Sequence, residues 1–482
     1  MESPNILFLM TDQMQARVLE PGHACRTPNF DRLMARGVRF RRAYTPNPIC
    51  SPARASLMTG RLPHNHGVLS ITHGLPPGMG EMDPADPVMP HWAQRLNAAG
   101  YRTGYFGKWH VERSDSPGRF GWQTCLDRGD PAFRERLKQV AGDTPVRGVR
   151  QCYLDQPEGY KPAMLYGVIT AEAEQRHLGV TCDFAGAFIE QAATDDAPWC
   201  CFVSVLEPHD PFICAESIFD QYDVDALELP ASRADTLEDR PGLYRKGAVV
   251  FADLTEQQHR EATACYYSAI TEVDRQFGKL LDLLDRTGQA DNTLVVLASD
   301  HGEALGAHGL YLKNVGAFEE IYNIPLIVSG PGLPEGVTSE ARVGLHDLAP
   351  TLLELTGCDP LPHCDGRSFA DALADPGGAA GALTTGYAEY FGTRYWLTQR
   401  VIWDGPWKLV WNGFDFDELY HLDDDPHEMT NLAGRPEHRE TLSRMMALAW
   451  RTVRDTNDAA LWGSQYPAVR LAPFGPGIAG KD

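Results

Sequence analysis

A cysteine, a proline and an arginine stand close together in the string from Cys50 to Gly60. Pro52 suits the first turn of a helix and not its interior, so we predict a helix that begins near Pro52 and ends at Gly60. Cys50 then lies just before this helix, where free N–H groups and the helix dipole favour an anion beside the sulfur. Arg54 falls on the same helical face and supplies a planar cation. The string predicts a nucleophile at an anion site, although a buried thiol and a surface arginine explain these two residues alone equally well.

Polar residues follow two short apolar runs that are typical of strands buried on both faces of a parallel sheet. Asp12 and Gln13 come after the first run, and Asp300 and His301 come after a later one. Ligands of α/β sheets bind beyond the carboxyl ends of the strands. Two carboxylates with an amide and an imidazole could hold one divalent cation there. A single aspartate after a strand is more often a helix cap, so the metal hypothesis depends on both strand ends and on Cys50 together.

Apolar runs alternate with amphipathic segments through most of the chain, and the clearest helical spacing covers residues 256–287. This alternation predicts a large α/β domain over residues 1–375, with a central, mostly parallel sheet flanked by helices. Residues 376–482 show short alternating strands rich in aromatic residues and then one helix, which predicts a small antiparallel sheet with a helix. Residues 111–179 and 216–251 lack a clear apolar period, so we expect long loops there.

The composition limits the class of partner. The chain has 482 residues, a net charge of −22 at pH 7 and 43% hydrophobic residues, which is ample for a sizeable core. The negative charge argues against nucleic acid and against an anionic membrane, and it weakly favours a small substrate over a heavily sulfated polymer. No run of about 18 apolar residues could span a bilayer.

The cysteines indicate a reducing compartment. There are 11 of them, an odd number, without the Cys-x-x-Cys spacing of metal sites. No positively charged leader precedes the first apolar run, so we expect a cytoplasmic protein, or a periplasmic one if a signal peptide has been trimmed. The sequence leaves open whether the protein forms a homo-oligomer.

The string from Cys50 to Gly60 resembles the signature of the type I sulfatases, Cys-Ser/Thr/Ala-Pro-x-Arg-x-x-Leu-x-Thr-Gly, with Ala53 where many members have serine. Residues 107–110 are similar to the family's Gly-Lys-x-His motif, and the resemblance spans nearly the whole chain. It implies the alkaline-phosphatase-like fold and hydrolysis of a small sulfate monoester to an alcohol and inorganic sulfate. It also implies that a separate formylglycine-generating enzyme oxidises Cys50 to formylglycine, whose hydrate attacks sulfur.

The resemblance assigns roles to individual residues. The implied metal ligands are Asp12, Gln13, Cys50, Asp300 and His301. The implied sulfate-binding and catalytic residues are Arg54, Lys108, His110, His209 and Lys313, with His209 as the general acid. Gln13 stands where many members have a second aspartate, and His301 stands where they have asparagine. Calcium is the expected ion, and the reduced number of carboxylates leaves manganese or magnesium open.

Two other functions compete with this interpretation. A phosphonate monoester or phosphodiester hydrolase of the same superfamily also uses formylglycine with Asp-Gln and Asp-His metal pairs. Such enzymes generally lack Gly-Lys-x-His, so Lys108 and His110 favour sulfate. A catalytically silent protein that binds an anion at the metal pocket is the third hypothesis, and the presence of every polar position argues against it. We expect residues 111–179 and 216–251 to determine substrate specificity.

Overall fold

The computed structural model describes residues 3–142, 146–393, 396–462 and 467–480. The strands are β1 (Asn5–Thr11), β2 (Gly37–Tyr44), β3 (Arg102–Gly107), β4 (Thr124–Leu126), β5 (Gly148–Leu154), β6 (Ala163–Ile169), β7 (Trp199–Ser204), β8 (Phe212–Ala215), β9 (Thr293–Ser299), β10 (Leu326–Ser329), β11 (Val337–Gly344), β12 (Thr385–Tyr390), β13 (Gln399–Asp404), β14 (Trp407–Asn412) and β15 (Glu418–His421). The α-helices are α1 (Pro28–Ala35), α2 (Cys50–Thr59), α3 (Pro63–His66), α4 (Trp92–Ala98), α5 (Pro131–Ala141), α6 (His177–Ala192), α7 (Glu216–Phe219), α8 (Gly242–Ala248), α9 (Glu256–Thr287), α10 (Glu319–Tyr322), α11 (Leu348–Leu355), α12 (Ala370–Ala374), α13 (Pro376–Ala379), α14 (Arg439–Asp455) and α15 (Ala459–Trp462).

An eight-stranded sheet in the order β11-β2-β10-β9-β1-β7-β3-β4 forms the centre of the fold. β10 is antiparallel to both of its neighbours, and the other adjacent pairs are parallel. Successive residues of β1 enter opposite cores: Leu7 and Leu9 pack with α1, α6 and α9, whereas Phe8 packs with α2, α4 and α11. Burial on both faces explains why this strand is a continuous apolar run. The prediction of a mostly parallel sheet flanked by helices is confirmed.

Helix α9 spans the residues predicted for it, because its ends carry strong signals. Thr255 and Gln258 form a capping box at the start, and Gly288 ends the helix with a left-handed φ of 69°. The helix crosses one face of the sheet, and its inward side chains form much of the core on that face. α9 thereby supports the strands that carry the polar residues discussed below.

The prediction that residues 111–179 form a loop was wrong. Strand β4 extends the central sheet, and β5 and β6 join β8 in a three-stranded sheet. α5 lies between β4 and β5. Most of β5 is exposed, with Cys152 as its one buried residue, so the strand has no apolar alternation that the sequence could reveal. One boundary also differs from expectation, since α2 already includes Cys50.

The C-terminal part contains the expected small antiparallel sheet, in the order β12-β13-β14-β15, and α14 packs on it. The division of the chain into domains 1–375 and 376–482 stays a prediction. In the part of the chain that the structure describes, no helix combines the length and the apolarity needed to cross a membrane.

His64 connects α3 to the C-terminal part. Its Nδ1 lies 2.5 Å from Oε1 of Glu389 on β12, and its Nε2 lies 2.9 Å from the carbonyl oxygen of Thr456 beyond α14. Both ring nitrogens therefore face acceptors, which suits the doubly protonated imidazolium. Burial lowers the pKa of His64, but the hydrogen bond to Glu389, the charge of Glu389 and the contact with Thr456 together outweigh burial and raise the pKa to about 8.

This contact predicts a pH dependence of stability. The pKa of His64 is higher in the folded than in the unfolded chain, so its contribution is complete below about pH 6.5 and is lost as pH rises through about 8. As the pH rises from 6 to 9, we expect the loss of this contribution from His64 to lower the free energy of unfolding by about 1–2 kcal/mol. Chemical denaturation at both pH values checks this against His64→Gln, with His427→Gln at an exposed site as the control. An equal pH dependence in all three proteins would contradict it.

Candidate active site

Polar residues converge at the carboxyl ends of four adjacent strands, β9, β1, β7 and β3. Asp12 directly follows β1, Asp300 directly follows β9, and Lys108 directly follows β3. His209 follows β7 after a short turn. Because these strands are parallel, their carboxyl ends share one edge of the sheet, which is the usual ligand edge of α/β folds. The sheet alone thus brings together residues up to about 290 positions apart.

Helix α2 delivers Cys50 to this edge. Ile49 caps the helix in an extended conformation, Cys50 is the first helical residue, and every residue of the helix is buried. Gly60 ends α2 with a φ of 66°, and its N–H donates to the carbonyl oxygen of Ser56 at 2.8 Å. A Cβ at Gly60 would come within 2.4 Å of Sγ of Cys364, so glycine is required by space as well as by conformation.

Arg54 lies one turn along α2 and binds the two aspartates. Its Nε donates to Oδ2 of Asp300 at 2.8 Å, and its Nη2 donates to Oδ2 of Asp12 at 3.1 Å. Its Nη1 donates to Oγ of Ser204 at 2.7 Å. The side chains of the arginine and of both aspartates are at most 1% exposed. All three guanidinium nitrogens therefore have acceptors within the protein, so the structure places Arg54 as the support of the carboxylates.

Four buried side chains surround Cys50 as a compact donor set. The potential ligand atoms of Asp12, Cys50, Asp300 and His301 all lie within 4.8 Å of one another. Sγ of Cys50 is 3.3 Å from Nε2 of His301 and 3.8 Å from Oδ1 of Asp12. Nδ1 of His301 lies 2.9 Å from the carbonyl oxygen of Gly302 and is assigned as the donor, so the lone pair of Nε2 faces the cluster.

The neighbouring charges shift the protonation of this cluster. Burial raises the pKa of the Cys50 thiol, but Lys108, Lys313 and His301 outweigh burial and hold that pKa well below its usual range. Burial also raises the pKa of Asp12, and Lys108, His209 and Arg54 together bring it below its ordinary value. The cluster therefore combines anionic groups with several cations at its border.

Lys108 and His110 approach the cluster from the end of β3. Nζ of Lys108 donates to Oδ2 of Asp12 at 2.5 Å. The imidazole of His110 contacts Cys50, and it stacks on the ring of His73 with a centroid distance of 5.6 Å. The backbone N–H of His110 donates to Oδ1 of Asp115 at 3.1 Å, which fixes the left-handed conformation of His110. Both residues of the Gly-Lys-x-His motif thus lie at the cluster.

His209, Lys313 and Gln13 complete the opposite side. Nδ1 of His209 donates to the carbonyl oxygen of Asp210 at 2.6 Å, so Nε2 accepts a hydrogen bond from Nζ of Lys313 at 2.6 Å. Nζ of Lys313 also donates to Oε1 of Gln13 at 2.5 Å. Nε2 of His209 is 4.0 Å from Oδ1 of Asp12. The structure therefore brings together all ten residues that the sequence selected.

Three residues at the site were missed by sequence reasoning. Glu303 accepts a hydrogen bond from Nε2 of Gln13 at 2.6 Å. It lies only two residues after His301 in the sequence. Asp210 accepts from the same Nε2 at 3.1 Å and follows His209 directly. Their position beside selected residues was the available signal. His73 belongs to a short 3₁₀ turn, and no motif pointed to it.

A comparison with protein families identifies the family of this chain. The sulfatase family model matches residues 4–358, which is most of the chain. The chain belongs to the sulfatase family. It is therefore a sulfuric ester hydrolase of the alkaline phosphatase superfamily. A second model, described as the C-terminal part of N-sulphoglucosamine sulphohydrolase, matches residues 306–454.

Similar proteins cover this sulfatase almost completely. A choline-sulfatase of Rhizobium meliloti is 28% identical, over 98% of this chain and 93% of its own. An N-acetylglucosamine-6-O-sulfatase of Bacteroides thetaiotaomicron is 27% identical, over 94% of this chain and 87% of its own. Among solved structures, a phosphonate monoester hydrolase from Silicibacter pomeroyi shares the fold, with a TM-score of 0.78 and 24% identity over 94% of this chain and 96% of its own.

Removing the guanidinium of Arg54 should destabilise the sulfatase strongly. Arg54→Met leaves Asp12 and Asp300 buried without their shared cation, so we expect the free energy of unfolding in EDTA to fall by about 3–5 kcal/mol. Arg136→Met is the matched control, because Arg136 pairs with Asp183 at the exposed surface and should contribute about 1 kcal/mol or less. Equal losses in the two variants, measured by chemical denaturation, would contradict the role given to Arg54.

Proposed function

We propose that this sulfatase hydrolyses a small sulfate monoester to an alcohol and inorganic sulfate, with residue 50 as the nucleophile. The observation that carries the proposal is the position of Cys50. Its Sγ lies 3.3 Å from Nε2 of His301, within a buried donor set that Lys108, Lys313 and His209 border. The net charge of −22 favours a small substrate, because a long polyanion would be repelled by the rest of the surface.

The donor set fits a divalent cation. Asp12 and Asp300 offer carboxylate oxygens, His301 directs a lone pair at the cluster, and Cys50 lies among them. We propose that these residues and Oε1 of Gln13 hold one ion, with Ca²⁺ as the first choice and Mn²⁺ or Mg²⁺ as alternatives. Carboxylate and amide oxygens suit Ca²⁺ and Mg²⁺, and the imidazole nitrogen favours Mn²⁺.

Two groups that the chain does not itself encode would supply part of the chemistry. The divalent cation would neutralise charge on the nucleophile and on a sulfate oxygen. Formylglycine at residue 50 would offer one hydroxyl of its hydrate for the attack on sulfur. The second hydroxyl would allow the aldehyde to re-form as sulfate leaves. We propose that a formylglycine-generating enzyme oxidises Cys50 before catalysis. The buried surroundings of Cys50 suggest that this happens before folding is complete.

The remaining steps belong to residues of this chain. Lys108 and Lys313 bind the charged oxygens of the sulfate, which otherwise repel a nucleophile. Burial and Lys313 lower the pKa of His209, but Asp12 and other neighbours raise it overall. When Lys313 turns to the substrate, Nε2 of His209 is released from its hydrogen bond, carries a proton and donates it to the leaving alcohol oxygen. His110, which contacts residue 50, accepts the proton of the second hydroxyl.

The segments around the three-stranded sheet are proposed to select the alcohol. The three-stranded sheet formed by β5, β6 and β8 begins directly after His209, since β8 starts at Phe212. We propose that residues 111–179 and 216–251, which contain or flank this sheet, contribute to the pocket for the leaving alcohol.

A phosphonate monoester or phosphodiester hydrolase remains the second candidate. Gln13 and His301 favour it, whereas Lys108 and His110 favour sulfate because such hydrolases generally lack the Gly-Lys-x-His motif. Nζ of Lys108 borders the donor set, 2.5 Å from Oδ2 of Asp12. We expect matched aryl esters to be hydrolysed with a clear preference for the sulfate over the phosphonate. A phosphonate or phosphodiester preference in protein whose residue 50 is formylglycine, as checked by peptide mass spectrometry, would assign the second function.

Two substitutions separate the roles of nucleophile and acid. Cys50→Ala removes the nucleophile, and we expect turnover of every sulfate ester to fall by at least about 10³-fold. His209→Ala removes the proton donor, so turnover should fall by about 10²–10⁴-fold for an alkyl sulfate and by much less for a nitrophenyl sulfate, whose leaving group needs no proton. His427→Ala is the control at an exposed histidine. Equal losses for both substrates in His209→Ala would contradict the acid role.

A further inference from the structure

The segment that leads to Lys313 has an unusual backbone. Four residues other than glycine between positions 304 and 314 have left-handed φ values: Leu305 at 47°, His308 at 53°, Leu312 at 68° and Asn314 at 87°. Each such conformation costs on the order of 1–2 kcal/mol for most residues. Contacts elsewhere in the protein must therefore hold this segment in place.

Glu303 supplies two of these contacts, at Leu305 and Leu312. Its Oε1 accepts hydrogen bonds from the backbone N–H of Leu305 at 2.9 Å and from that of Leu312 at 2.5 Å. Its Oε2 accepts from Nε2 of Gln13 at 2.6 Å. The carboxylate is fully buried, and all three of these partners are N–H donors. Glu303 thus connects Leu305 and Leu312, near the two ends of the segment before Lys313, to Gln13.

These contacts fix the orientation of the Gln13 amide. Nε2 donates to Glu303 and to Oδ1 of Asp210, and Oε1 accepts from Nζ of Lys313 at 2.5 Å. A flipped amide would direct its N–H groups at the ammonium of Lys313 and its oxygen at two carboxylates. Each of these three neighbours therefore opposes the flip.

We propose that Glu303 is a positioning residue that orients Gln13 as a metal ligand and places Lys313 beside it. The proposal rests on the proposed function, which makes Gln13 a ligand of the divalent cation. Groups that orient ligands through hydrogen bonds commonly change metal affinity by about 10- to 100-fold when they are replaced.

Glu303→Gln tests this with little change of shape. The new amide can still accept from Leu305 and Leu312 through its oxygen, but its NH₂ group then faces the NH₂ group of Gln13. Either amide must rotate, and each rotation places donors against donors. We expect the affinity for Ca²⁺ and for Mn²⁺ to fall by about 10- to 100-fold, while the protein remains folded.

The experiment is a double-mutant cycle on the full chain. Calorimetric titration with Ca²⁺ alone and with Mn²⁺ alone compares wild type, Glu303→Gln, Gln13→Ala and the double variant. If Glu303 acts through Gln13, its substitution costs little further affinity once Gln13 is absent. Glu418→Gln is the matched control, since Glu418 on β15 is an equally buried carboxylate that accepts hydrogen bonds from Tyr244, Tyr420 and Asn412 and from none of the ten selected site residues. We expect Glu418→Gln to lower thermal stability and to leave metal affinity unchanged.

Three results would overturn the proposal. The first is an affinity of folded Glu303→Gln within twofold of wild type, and the second is an equal loss of affinity with and without Gln13. The third is a wild type that binds neither ion, which would also remove the metal from the proposed function; the first two leave that function intact. If Glu303→Gln does not fold, Glu303→Asp enters the same cycle, because its shorter carboxylate cannot reach Gln13 and both backbone N–H groups together.

Discussion

The shared ion pair of Arg54 with Asp12 and Asp300 is the constraint on which the site depends. Two carboxylates at the ends of adjacent parallel strands repel each other, and burial makes each charge costly. The planar guanidinium of Arg54 offsets both the repulsion and the cost of burial, because it donates to one oxygen of each carboxylate in a fixed geometry. Since Arg54 belongs to α2, the same contacts hold the start of that helix, and with it Cys50, against the strand ends.

The charges around this ion pair explain how an acidic protein can take up an anion. Lys108 contacts Asp12, and Lys313 contacts His209 and Gln13, so cations border the cluster on two sides. In the buried interior these few charges act at short range and are weakly screened. The net charge of −22 acts over longer distances and opposes only large polyanions. A small sulfate ester would experience the local cations first.

Much of the site could be predicted because its signals are local. The apolar runs of β1 and β9 are continuous since both faces of each strand are buried, and a polar residue directly after such a run lies at the ligand edge. The sequence could not predict what Arg54 contacts, because its partners come from other elements. Nor could it assign Glu303 a role, since the contact with Gln13 joins residues 290 positions apart. The exposed strand β5 was missed for a different reason: its pairing with β6 buries little apolar surface.

The central claim is that Asp12, Asp300, His301 and residue 50 surround one divalent cation, with Arg54 balancing the remaining charge. Crystals grown in Mn²⁺ and measured for anomalous scattering test this claim most directly, because the position of the ion is read without reference to activity. The account predicts one strong peak between these four side chains, with the Arg54 contacts to both aspartates retained. The absence of a peak there, or a guanidinium turned away from Asp12 and Asp300, would contradict it.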